Sequence, residues 1–473
     1  MSRIFIHFVL LFCWLTAGAQ TSDSLRLKLG EAKPQKTSDM KFQLTLFNSE
    51  YVSSGQTFFR EGAEGNNRGV SAGLVLDKKL GTFEIRINGR NDYSATERSN
   101  YLNAYEANVS WRPDADRTVS LGRKLDRWNE WEAAWNQGLF QPRYMTNKLR
   151  SEEAGLAGLF LNQSTVPFAF AVGFLPIHIP DLGARFTVEN NKFASRNPWF
   201  NPPASQFEYR DVIGDIRYSL DKPTLSEGTS HMGGVAKVEA NGLKNYFGRL
   251  AVAYKPMPQF LLGFPSRNRV LVSANEDFMN VRVAPRVAYH TLISHDSVFQ
   301  VGSWKMTGSL MREIPDQAAS PQDFTAQRVS SAWITSAAVS RPLEVEGPFA
   351  ARLQLGFLKV DGGDEQDTGR FASSRSLFER RYQYKEAYSL GLIKPWRSAF
   401  RFPVETQVRL IYDRLQNGGV ASISAGFNFT KELRADLEMD FLGLFPGSAE
   451  IEDGFLALYR SNDRIGLGLS YVF

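Results

Sequence analysis

Histidine, the commonest general base, is scarce in this chain: beyond the first twenty residues only His178, His231, His290 and His295 occur. Only His295-Asp296-Ser297 sets a base beside a hydroxyl. A nucleophilic serine needs its base within hydrogen-bond reach and an oxyanion site as well. The pattern puts this tripeptide at a tight turn, where it needs no catalytic explanation, and the chain is not expected to be an enzyme. The single cysteine, Cys13, rules out a disulfide framework or a zinc-thiolate site. No metal-ligand cluster, phosphate-binding glycine loop or dinucleotide fingerprint stands in a usable context, so no cofactor is expected.

What the chain has in quantity is charge alternating with apolar residues. In Phe83-Glu84-Ile85-Arg86-Ile87-Asn88-Gly89-Arg90 the odd positions are apolar or glycine and the even ones polar or charged. That is the period of two of a strand with one hydrophilic face. Lys41–Tyr51, Tyr246–Tyr254, Val281–Tyr289, Arg352–Leu358, Thr406–Tyr412, Ile423–Phe429 and Arg434–Phe441 alternate less perfectly. The hydrophilic face collects Glu84, Arg86, Arg90, Arg217, Arg249, Arg282, Arg286, Arg352, Arg409, Glu438 and Asp440. So many charges cannot be buried dry, and they argue for a wet interior. Two readings stand: arginines that make a channel favour anions, or a structural mesh of arginine–carboxylate pairs.

The elements that must hold such a face are strands. Of 473 residues 43% are hydrophobic and 22% charged, and the formal net charge is +5. No stretch beyond the amino terminus approaches the roughly 18 apolar residues of a membrane helix. The scattered charge gives no basic block for nucleic acid. Met1–Gln20 carries Arg3, an apolar run from Ile4 to Leu15 and Ala17-Gly18-Ala19, the pattern of a secretory signal peptide cut after Ala19. The expected organisation is a signal peptide over 1–19, a periplasmic tail over 20–40 and one all-β domain over 41–473. An exported membrane protein without membrane helices must close its strands into a barrel.

The last ten residues put Ile465, Leu467, Leu469, Tyr471 and Phe473 on one face. This resembles the terminal strand of bacterial outer-membrane barrels. The resemblance implies that Tyr471 and Phe473 are read by the barrel-assembly machinery. Trp111-Arg112-Pro113, Tyr254-Lys255-Pro256, Ser340-Arg341-Pro342 and Ile393-Lys394-Pro395, with Asp221-Lys222-Pro223 as a variant, punctuate strand ends. Taken as periplasmic turns, they leave four strands between Pro113 and Pro223, four between Pro256 and Pro342 and two between Pro342 and Pro395. The expected fold is a closed antiparallel transmembrane β-barrel of about 18 strands, range 16–20. Long outer loops are expected at Ser53–Asn67, Leu125–Glu152, Pro176–Phe207, Arg312–Phe324, Val360–Arg380 and Leu444–Asn462.

Val119-Ser120-Leu121-Gly122-Arg123-Lys124 resembles the strand-Gly-Arg step of many bacterial porins. In those families the third long loop folds inward as a constriction, and Leu125–Glu152 is the third outer loop here. Trp128, Trp131 and Trp135 fall in it at helical spacing, and packing against the wall is favoured over stacking on sugars. Alginate-export barrels, similar in size with an arginine-lined lumen, are a weaker resemblance. Asn197-Pro198-Trp199-Phe200-Asn201-Pro202-Pro203 reads as a lid, a partner contact or a rigid loop. The His-x-Ser spacing also resembles that of outer-membrane phospholipases. The resemblance to porins implies an outer-membrane channel for passive diffusion of small hydrophilic solutes, with anion or carbohydrate preference open. The alternatives are a non-conducting surface barrel that binds or scaffolds, and, behind it, a lipid hydrolase. Expected partners are outer-membrane lipid and lipopolysaccharide, the assembly machinery and the solutes, with a homo-oligomer left open.

Overall fold

The computed structural model describes residues 40–55, 62–209, 212–221, 224, 226, 229–265, 270–273, 276–316, 324–343, 351–368, 381–396, 402–446 and 454–473. The expected signal peptide, and the tail as far as residue 39, lie outside the described residues.

Eighteen strands make one sheet. They are β1 (Met40–Tyr51), β2 (Asn66–Leu80), β3 (Phe83–Ser94), β4 (Ser99–Trp111), β5 (Arg117–Lys124), β6 (Leu156–Ser164) and β7 (Phe168–Leu175). Then follow β8 (Gly233–Leu243), β9 (Tyr246–Pro256), β10 (Tyr289–Val301), β11 (Trp304–Pro315), β12 (Ala332–Pro342) and β13 (Arg352–Gly362). The last are β14 (Glu386–Trp396), β15 (Val404–Asp413), β16 (Gly418–Asn428), β17 (Leu433–Leu444) and β18 (Arg464–Val472). Each pairs antiparallel with the next. The last returns to the first, with Leu469 opposite Leu46 and Tyr471 opposite Leu44. Phe473 completes the seam by donating its backbone N–H to Phe42 O at 2.8 Å. The sheet is therefore closed, as a barrel without free edges must be in lipid.

Alternation assigns the two faces. On β18, Leu467 is 58% exposed while Ser470 is 3%. Phe168, Phe170, Val172 and Phe174 on β7, and Leu250, Val252 and Tyr254 on β9, share the outer face. Between the latter, Arg249, Ala251, Ala253 and Lys255 point inward and are buried. An apolar outer belt around a polar wall is the pattern of a transmembrane barrel.

The two rims differ as expected. One has tight turns, such as residues 81–82, 165–167, 244–245 and 302–303. The other carries long connections over 125–155, 176–232, 257–288 and 445–463. Pro113, Pro342 and Pro395 lie at the short-turn rim, but Pro256 ends β9 at the long-loop rim, and Pro223 lies outside the described residues. A proline stops a ladder whichever way the chain travels, so the punctuation marks strand ends without naming the rim. Three barrel strands, β10 to β12, run from Pro256 to Pro342 instead of four.

Val281–Tyr289 and the arginines Arg217, Arg282 and Arg286 were expected in the barrel wall, and they are not there. Val212–Leu220 and Glu276–Arg286 belong to a separate seven-stranded sheet on the long-loop side, where they pair in parallel. A barrel of consecutive up-and-down strands has no place for such a pair. Ile216, Tyr218, Val281 and Val283 close a small core of their own with Phe193, Leu220 and Leu262. The alternation there reflects this second core and not a lipid face. Arg282 is exposed and bonds Asp221 at 2.8 Å.

The lipid belt gives a direct test. Replacing Leu467 by arginine puts a charge in the middle of β18 and is expected to lower stability by about 2–4 kcal/mol. Urea unfolding in detergent micelles measures this. A change below about 0.5 kcal/mol would mean that this face does not meet lipid.

Candidate functional site: the loop across the lumen

The site begins at a glycine. Gly122 in β5 has φ +121°, and a Cβ there would lie 2.3 Å from Ala107 O. Only glycine passes this kink without strain. Beyond it Arg123 turns its Nε to Gly155 O at 2.9 Å, tying together the two ends of the connection 125–155.

That connection crosses the lumen. Asp126 accepts from Lys237 Nζ of β8 at 2.8 Å, and Glu130 from Arg249 Nη1 of β9 at 3.1 Å. The helix α1 (Trp131–Trp135) follows. Trp131 Nε1 donates to Met311 Sδ of β11 at 3.3 Å, and Trp135 Nε1 to Ser336 Oγ of β12 at 3.0 Å. Ala134 O accepts from Arg409 Nη2 of β15 at 2.5 Å. On the return, Arg150 bonds Asp440 and Glu438 of β17 at 2.8 and 3.1 Å, and Glu152 pairs with Arg90 of β3 at 2.9 Å. Contacts to seven strands around the barrel require the loop to lie inside it.

All three tryptophans are buried in this packing. Trp128 stacks on Phe140 at 6.2 Å with an interplanar angle of 3°, and Lys237 Nζ stands 5.4 Å from its ring. Two other connections pack against the loop. Trp199 bonds Tyr51 Oη at 3.1 Å and packs on Phe455 and Tyr459 of the helix α2 (Phe455–Tyr459). Tyr459 Oη in turn accepts from Lys148 Nζ at 2.8 Å. The Asn197-Pro198-Trp199 segment is thus packed inside the assembly.

The wall arginines are mostly paired. Arg86 lies 2.6 Å from Glu84, which also meets Arg112 at 2.7 Å. Arg90 has Asp92 as well as Glu152, and Arg249 has Glu239 and Asp296 as well as Glu130. Arg464 shares Glu438 and Asp440 with Arg150. Arg352 also has a partner. Arg409 differs: among the described residues it has no carboxylate, only Ala134 O and the ring of Trp135 at 5.5 Å. It lines a cleft, partly open to solvent, with Trp135, Arg150, Gln383, Tyr384, Gln407, Ser422 and Ser424.

Sequence reasoning missed several groups that hold this site. Arg143 is buried and clamps Asn136 Oδ1, Gln137 O and Ser151 within the loop. Arg381 and Tyr382 converge on the buried Glu313 of β11, whose carboxylate also meets His290 at 2.5 Å. These residues sit in irregular segments or act as isolated pairs, so no periodicity announces them.

His295-Asp296-Ser297 is not at a turn but in mid-β10. Ladder pairing on both sides forced this, since β9 and β11 bracket the three residues. His295 Nε2 and Ser297 Oγ are 3.0 Å apart on the outer face, while Asp296 points inward to Ser309 and Arg249. With both neighbours in the ladder, the backbone there has no N–H to spare for an oxyanion.

No protein-family model matches this chain, and no curated protein matches it. Among solved structures it is similar to Pseudomonas aeruginosa OccK5 (OpdH), at 9% identity and TM-score 0.47 over 92% of this chain and 97% of that one. Pseudomonas aeruginosa OccK10 (OpdN) aligns at 11% identity and TM-score 0.45, covering 92% and 98%. The trimer form of Vibrio cholerae OmpT, an outer membrane protein, aligns at 9% and 0.38, covering 92% and 99%. Identities this low transfer no role from those proteins.

One buried acid makes the loop sensitive to pH. Glu132 of α1 accepts the Phe140 N–H at 2.9 Å, and burial pushes its carboxyl up from 4.5 to about 7. An acid whose folded pKa is raised stabilises the packed loop below its unfolded value, and that contribution is lost as pH rises through 7. Burial pushes Asp181, which holds the Arg143 N–H, up to about 6, in the same direction. Protease resistance of residues 125–155 is therefore expected to fall as pH rises from about 4.5 to about 7 and to level off above that, and Glu132→Gln to flatten the change. An unchanged slope in the variant would contradict the assignment.

Proposed function

We propose that this protein is a channel for passive diffusion of small hydrophilic solutes across the outer membrane of a double-membraned bacterium. The observation that supports it best is the lumen itself. A closed barrel of this width has room for water, its wall is polar, and one loop narrows it to a solvent-connected cleft beside Arg409. Catalysis has little support, since the outer-face His295–Ser297 pair lacks an oxyanion donor from the backbone. Tyr471 and Phe473 sit on the closing strand's outer face, where assembly machinery could read them.

The pairing of the arginines changes how selectivity should be read. Arg86 and Arg90 are neutralised by neighbours, so wall charge at those sites acts as a mesh. Any preference for anions is assigned instead to Arg409.

A second reading, a non-conducting surface barrel, draws on the seven-stranded sheet on the long-loop side and the aromatic packing of Trp199, Tyr384, Phe455 and Tyr459. Planar-bilayer recording separates the two. The purified protein is expected to give discrete channels, and deleting Trp128–Trp135 to raise their conductance about twofold or more, as when a constriction leaves a wide barrel. Silence before and after deletion would favour the second reading.

Sidedness has its own test. The one native cysteine, Cys13, falls in the expected signal peptide. A cysteine at Leu415, in the β15–β16 connection, is expected to react with an impermeant thiol reagent on intact cells. One at Val166, in the β6–β7 turn, should react only once the outer membrane is opened. The reverse result would invert the barrel.

A further inference from the structure

One strand breaks the apolar belt. Midway along their strands, Val172 on β7, Leu250 on β9, Leu390 on β14 and Leu467 on β18 are exposed on the outer face. On β10 the middle residue of thirteen is His295, and it is exposed on that same face. Its Nε2 lies 3.0 Å from Ser297 Oγ. Tyr246 of β9 leans over Gly248 and brings its Oη within 3.4 Å of the same hydroxyl. Aromatic pairs close the belt at both ends of this ladder, Tyr254–Tyr289 towards the long loops and Tyr246–Phe299 towards the short turns. The His295–Ser297 pair therefore lies between the two girdles, at the depth of the acyl chains. Its mutual bond leaves His295 Nδ1 without a partner among the described residues. Acyl chains can supply none, and polar groups on a lipid face cost stability unless something else covers them.

The surface beside the pair is shaped for close approach. Ser297 faces Gly248 on β9 and Gly308 on β11, and Ala337 of β12 continues the row beyond Gly308. A Cβ on Gly308 would meet nothing within 4 Å, so the row holds a notch open to the membrane. Met306 and Leu310 stand exposed on either side of it. Small residues between apolar knobs let two embedded backbones come together.

We propose that the outer face of β9 to β12 is the contact by which two copies of this chain associate side by side in the membrane. The occupant follows from depth. A hydrogen-bond partner midway through the bilayer comes from another embedded protein surface, since the hydrocarbon has none. A second copy, turned about an axis along the membrane normal, brings His295, Ser297 and Tyr246 to the same depth as their counterparts. Each imidazole then spends its remaining nitrogen on a hydroxyl of the other copy, while Leu310 and Met306 pack at the level of the Gly308 notch. This association concerns the outer wall alone and stands whether or not the lumen conducts.

The test is disulfide trapping of the full chain in native outer membranes. With Leu310→Cys, oxidation is expected to give a species of twice the barrel's mass, while Leu467→Cys on β18 stays monomeric. Gly308→Phe in the Leu310→Cys background fills the notch and should lower the trapped fraction about tenfold. Gly443→Phe, at an outer-face glycine of β17 that is equally open, should not lower it. His295→Leu combined with Ser297→Val should also lower trapping and leave heat-modifiable gel mobility unchanged, because an apolar belt suits a lone barrel better. A Leu310→Cys protein that stays monomeric overturns the proposal. So does equal trapping at the two cysteines, which would report random collision. An adduct of any other mass replaces the second copy by a different protein, and it too overturns the proposal.

Discussion

Everything in this molecule depends on satisfying backbone hydrogen bonds where no water is available. In lipid each unpaired N–H or C=O costs several kcal/mol, so an edge strand cannot be left open. Pairing β18 with β1 from Arg464 to Val472 removes the last edge. Closure then fixes which residues meet lipid, because a slip of one residue would exchange Leu467 and Leu469 for Gly468 and Ser470. It also creates the enclosed space that the rest of the chain must fill or keep wet.

Much of that space is occupied by the chain's own loops. A charged wall lets a loop be held by many moderate interactions instead of an apolar plug. Lys237, Arg249 and Arg409 reach inward from the wall, and Asp440 and Glu438 receive Arg150 from the loop. Most of these groups are compensated, so they fix geometry more than they set a field. Breaking a buried pair leaves its partner uncompensated, which gives the loop a defined position. The cleft near Arg409 is what this packing leaves over, and its residual charge follows from the pairing around it.

The fold was legible because strand alternation is local and repeated. Phe83–Arg90, Lys41–Tyr51 and the last ten residues all took the faces read from their pattern. The same rule misplaced Val281–Tyr289, since alternation records one buried face and is silent on whether the other meets lipid or water. Arg217, Arg282 and Arg286 went astray for that reason. The inward loop was visible through Gly122-Arg123 and the spacing of Trp128, Trp131 and Trp135. Its anchors were not: Arg150 and Gln383 find partners 290 and 235 residues away in sequence, and Arg143, whose partners lie within the loop, sits in an irregular segment without a period. The solitary state of Arg409 was unreadable too, since a missing partner appears only when all neighbours are placed.

The central claim is that the lumen, though narrowed by the loop over 125–155, passes small hydrophilic solutes. Liposome swelling measures this without an applied voltage. Vesicles carrying the purified barrel are expected to swell quickly in isosmotic monosaccharide and progressively more slowly as the saccharide lengthens. Swelling no faster than that of protein-free vesicles, for every solute in the series, would contradict the account.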